Sequence, residues 1–91
     1  MSTTEFRLDR IEYVLGRRGC EKSKHYADVQ HGVFTPPVRV GRASTWPRHE
    51  VDALICAQIA GASETQLRAL VKHLVAQRAE LMPLTGGADV V

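Results

Sequence analysis

Phe34-Thr35-Pro36-Pro37-Val38-Arg39-Val40-Gly41-Arg42-Ala43-Ser44-Thr45-Trp46-Pro47 is the stretch on which the fold turns. Pro36 and Pro37 forbid helix and push the residues before them into extended backbone. Val38-Arg39-Val40 alternates, Gly41-Arg42-Ala43-Ser44 is a turn-like break, and Thr45-Trp46 returns as a second strand. The pattern predicts a small two-stranded hairpin with arginines near its tip. Pro47 then suits the first turn of a helix, where the N–H it lacks would be unpaired anyway.

Helical patterns flank the hairpin. Upstream, Leu8-Asp9-Arg10-Ile11-Glu12-Tyr13 has the look of a helix start, with Asp9 as cap, Glu12 reaching back and Leu8 stapled to Tyr13. Ile11, Val14 and Leu15 form its apolar stripe, and Gly16 and Gly19 close it. A second short helix is expected from Glu21 to His31, with Gly32 as its stop. Its apolar content is thin, so it is expected to show most of its circumference to solvent or a partner.

Downstream, Val51, Leu54, Ile55, Gln58 and Ile59 keep helical spacing up to Gly61. Ser63-Glu64-Thr65-Gln66 is a capping box, and Leu67, Leu70, Val71, Leu74 and Val75 repeat the stripe behind it until Pro83. The fold expected is mainly α with a small β-hairpin: a domain over 1–61, a C-terminal amphipathic helix over 62–82 and a loose tail over 83–91. The stripe of Leu67, Leu70, Val71 and Leu74 either folds back on the core or pairs with a second copy, and its length favours pairing.

The chain has 91 residues, of which 44% are hydrophobic and 24% charged, so one small globular domain is the natural expectation. No apolar run is long enough to span a membrane. Met1-Ser2-Thr3-Thr4-Glu5 lacks the basic-then-apolar layout of a signal peptide, and a cytoplasmic location follows as the expectation. Cys20 and Cys56 then read as small apolar fillers in a reducing compartment. His25, His31, His49 and His73 fall at no metal or triad spacing, and there is no Gly-rich phosphate loop. Neither a catalytic role nor a cofactor, metal or small-molecule substrate is expected.

The net charge of +2 conceals an asymmetry. Arg7 to Arg48 holds nine bases against four acids, a net of +5, whereas the remainder is slightly acidic. A basic half attracts phosphate and steers association with a polyanion.

Helix, tight turn, polar basic helix, hairpin and helix is the order of a winged helix-turn-helix domain, in which the second helix stands proud of the core and enters the major groove. Between about Arg7 and Ile59 the chain resembles the AlpA-like phage and prophage transcriptional regulators, relatives of the excisionases and of the DNA-binding head of the MerR superfamily. The resemblance rests on Arg7-Leu8, Val14, Gly19, Ser23, Tyr26, Val29 and Gly32. It rests more specifically on Phe34-x-x-Pro37-Val38-Arg39-Val40-Gly41-Arg42 with Trp46 and Glu50-Val51. The family usually has aliphatic residues where His25 and Asp28 stand, a serine cap where Glu21 stands, Pro where Thr35 stands and often Trp where Leu54 stands.

The resemblance implies a sequence-specific regulator of double-stranded DNA, with Lys22, Ser23, Lys24 and Tyr26 on the major groove and Arg39 and Arg42 on backbone or minor groove. A homodimer or side-by-side oligomer on DNA is expected, and Trp46 is expected to anchor the core beneath the wing. Arg17 and Arg18 fall in the turn, either flanking DNA backbone or solvated. The alternative is a protein-interaction module, an antirepressor or adaptor, acting through the C-terminal helix.

Overall fold

The computed structural model describes residues 6–82. The expected tail over 83–91 and the stop at Pro83 lie outside them. The elements run β1 (Leu8–Arg10), α1 (Ile11–Arg18), α2 (Lys22–Gln30), β2 (Val38–Val40), β3 (Ala43–Pro47), α3 (Arg48–Ile59) and α4 (Glu64–Glu80). The described residues thus form a mostly helical domain of four helices with a three-stranded antiparallel sheet in the order β1-β3-β2. No helix among them is long and apolar enough to cross a membrane.

The hairpin forms where the prolines and the alternating run place it, with a tighter turn than expected. Val40 pairs with Ala43, so Gly41 and Arg42 alone make the connection, and Ala43 and Ser44 belong to the strand. Gly41 takes a φ of 61° and no non-glycine among the described residues has positive φ, the arrangement of a type II′ turn. Trp46 is fully buried and its indole N–H donates to the Thr35 carbonyl at 2.8 Å.

The sequence pattern misses β1. Leu8, Asp9 and Arg10 pair with Pro47, Trp46 and Thr45, adding an edge to the hairpin. Strand pairing moves the helix start to Ile11, with Arg10 as an N-cap whose side chain makes no capping bond. Asp9 is therefore no cap. Its carboxylate instead takes two hydrogen bonds of 2.9 Å from the Arg48 guanidinium, which also lies 4.9 Å above the Tyr13 ring. Leu8 and Tyr13, expected as a staple, are both half exposed, with Leu8 lining a groove on the sheet and Tyr13 lying under Arg48. Gly16 lies inside α1, and Gly19 closes it in the left-handed conformation with its N–H on the Leu15 carbonyl.

The core is formed by Val14, Phe34, Trp46, Val51, Leu54, Leu67, Val71 and Leu74. Three of these come from α4, so of the two alternatives for the helix over 62–82 the described residues show packing on the core. Leu67, Val71 and Leu74 are buried within the chain and Leu70 packs against the same cluster, so the stripe proposed for self-association is spent on the protein's own core. Burial of each such side chain stabilises by about 1.5–3 kcal/mol, and packing within one chain gains this without the entropy cost of associating two.

Two polar features hold α4 in place. Ser63 and Gln66 form the reciprocal capping box, at 3.1 and 2.8 Å. Arg78 grips Glu50 through two hydrogen bonds of 2.8 and 2.7 Å and donates to the Pro36 carbonyl at 2.8 Å. Glu50 is fully buried on the first turn of α3, so this grip ties the far end of α4 to α3 and to the approach to the hairpin.

Candidate nucleic-acid interface

The α1–α2 junction is built around polar side chains. Arg18, in the last turn of α1, donates to the Asp28 carboxylate at 2.6 Å and to His25 Nδ1 at 2.9 Å. Its guanidinium lies 4.3 Å from the centre of the Phe34 ring. Arginine has no acceptor, so His25 Nδ1 accepts and the ring proton of the neutral imidazole belongs on Nε2. The His25 ring is fully buried and packs edge-to-face with Trp46 at 4.5 Å and Phe34 at 4.9 Å. Lys24 closes the arrangement from outside, its ammonium 2.9 Å from the second Asp28 oxygen.

The titration of these groups follows from their surroundings. Burial pushes His25 down to about 4, and the Arg18 charge adds to the effect against the opposing pull of Asp28. Burial works against ionisation of Asp28, but the hydrogen bonds from Arg18 and Lys24, with their charges, outweigh it and hold the carboxyl below its ordinary value. Asp9 is held down chiefly by its hydrogen bond from Arg48.

This joint corrects two expectations. Arg18 is neither a backbone-flanking residue nor solvated, since its side chain is 4% exposed. Arg17 pairs with Asp52 at 2.6 Å. The second helix is not merely a polar surface helix either, because His25 and Asp28 are its buried positions. The signal for this was present in the sequence. His25 and Asp28 stand three apart, and three apart is one helical face.

With the inward face fixed, the outward one follows from helical spacing. Lys22, Ser23, Lys24 and Gln30 are exposed, while Tyr26 and Ala27 are half-buried. The Tyr26 ring centre lies 6.0 Å from that of Trp46, so this residue forms the seam between α2 and the sheet. Gln30 shares the outward stripe with Ser23 and Ala27, at i, i+4 and i+7, and sequence reasoning passed over it.

The hairpin arginines are both exposed. Arg39 stands opposite Ser44, two residues from Trp46, and so lies on the sheet face that α2 packs against. Arg42 is at the turn. Among the described residues, no carboxylate forms a salt bridge with Lys22, Arg39 or Arg42. Of the nine bases between Arg7 and Arg48, by contrast, Arg17, Arg18, Lys24 and Arg48 are engaged by Asp52, Asp28 and Asp9. The unpaired basic surface among the described residues is therefore narrower than the sequence tally: Arg7 and Arg10 at β1, Lys22 on α2, and Arg39 and Arg42 on the hairpin.

The opposite sheet face is different in kind. Leu8, Pro47 and Val38 line an apolar groove there with Phe6 and Leu81. Among the described residues, no group of three His, Cys, Asp or Glu is placed to hold a metal. Cys20 is half-buried and Cys56 exposed, so the filler role fits only Cys20.

Compared with known proteins, the chain matches no family model, no curated protein and no solved structure.

Proposed function

We propose that this protein is a double-stranded DNA-binding transcriptional regulator of phage or prophage type, with α1 and α2 as its helix-turn-helix and β2–β3 as its wing. The observation that carries the reading is the shared side of α2 and the hairpin. Arg39 lies on the sheet face that α2 packs against, Arg42 is at the turn, and these two together with Lys22 of α2 have no salt-bridge partner among the described residues. A helix held proud of the core by a rigid joint suits the major groove, and a basic hairpin alongside suits the backbone or the minor groove.

In this account Arg18, His25 and Asp28 touch no DNA. They set the angle at which α2 leaves α1. Lys24 serves that joint as well, which leaves Lys22 as the freer lysine of the pair. The resemblance to AlpA-like regulators supports the same function.

The test is retention of a labelled duplex from the region upstream of the protein's own coding sequence, set against a scrambled duplex of equal length. Tighter binding to the upstream duplex is the expected outcome. Equal or no binding to both would remove the claim of specific regulation.

A further inference from the structure

The outward stripe of α2 has a chemistry of its own. Ser23, Ala27 and Gln30 occupy it, opposite the buried His25 and Asp28. Seven residues of helix separate the first from the last, a rise of about 10 Å. That is roughly three base-pair steps at 3.4 Å each.

We infer that α2 reads A·T base pairs, with Gln30 as the residue that selects adenine. The inference rests on the proposed DNA-binding function and narrows its target. A glutamine carboxamide offers a donor and an acceptor together, which match adenine N7 and its amino group. The Ala27 methyl suits the thymine methyl, and Ser23 tolerates any base. The usual readers of guanine are arginine and lysine, and the stripe carries neither. Lys24 lies to one side with its ammonium held by Asp28 at 2.9 Å. Lys22 is the first residue of the helix and lies outside the stripe.

The experiment is selection by the full chain from a duplex library with a randomised stretch, repeated with Gln30→Ala and Gln30→Glu. Gln30 is exposed, so neither substitution disturbs the core. Wild type should enrich adenine at one position by roughly ten-fold or more. Gln30→Ala should abolish that enrichment and leave the other positions unchanged. Gln30→Glu should move it toward cytosine, whose amino group a carboxylate accepts. Guanine enrichment by wild type, or adenine enrichment that survives Gln30→Ala, would overturn the inference while leaving DNA binding standing. Failure of wild type to retain any duplex would overturn the DNA-binding reading and this inference with it.

Discussion

Arg18 and Asp28 meet at 2.6 Å across the junction of α1 and α2, with side chains 4% and 8% exposed. A pair so sealed from water gains little over a well-packed apolar pair, but it penalises heavily the loss of either partner. It also has a direction. Asp28 must face Arg18, so α2 is fixed in rotation about its own axis, and the outward stripe is fixed with it.

Removing one partner should therefore cost more than removing both. Asp28→Ala is expected to destabilise by about 3–5 kcal/mol, because Arg18 would be left buried and uncompensated. The double change Arg18→Met/Asp28→Leu should recover most of the loss. Denaturant unfolding of the three proteins measures this, and a double variant as unstable as the single one would show that the joint depends on the charges themselves.

Acid should weaken the fold in two stages. His25 has its folded value near 4 against an ordinary 6.5, so the unfolded chain binds the extra proton between those values. Stability is complete above about pH 6.5 and falls as pH drops toward 4, by about 3 kcal/mol from this group. Asp9 and Asp28 are both held below the ordinary 3.8, so their contributions are present above that value and are lost at still lower pH. His25→Leu should flatten the first stage and spare the second. An unfolding free energy that is level between pH 7 and 4 in wild type would contradict the buried neutral imidazole.

The fate of α4 is open to the same kind of check. Leu74→Ala is expected to cost about 2–5 kcal/mol, as for a core leucine. Leu70→Glu/Leu74→Glu should unfold the chain. A folded monomer produced from a dimer by that double change, seen by sedimentation, would restore the stripe as a self-association surface.

What the sequence reveals here is mostly local. The hairpin follows from two prolines, an alternating run and a glycine within ten residues, and the Ser63–Gln66 capping box is written in four. β1 is hidden because three residues show no periodicity and pair only with a strand some 37 residues away. Asp9 had the position of a cap, but an arginine 39 residues downstream claims its carboxylate. An apolar stripe shows that α4 must be covered without showing by what, and the Glu50–Arg78 grip that settles it spans 28 residues. On α2 polarity alone does not separate an inner from an outer face; Arg18, ten residues before Asp28, divides them.

The proposed division of labour between α2 and the hairpin gives a further expectation. Arg42→Ala should weaken binding to upstream and scrambled duplexes about equally and shallow the salt dependence by about one unit, as expected for a phosphate contact. Lys24→Ala should act mainly on stability, since its ammonium serves Asp28. Parallel duplex titrations and unfolding curves separate the two. A large sequence-dependent loss of affinity from Lys24→Ala, with stability unchanged, would place that lysine on a base.

The salt dependence of duplex binding tests the central claim most directly. With Lys22, Arg39 and Arg42 each neutralising a phosphate, log K should fall against log salt with a slope of roughly −3. The slope should drop to roughly −1 in Arg39→Ala/Arg42→Ala, which leaves one of the three contacts. Affinity that does not change between low and moderate salt, or a slope the same in the double variant as in wild type, would contradict an interface formed by α2 and the hairpin.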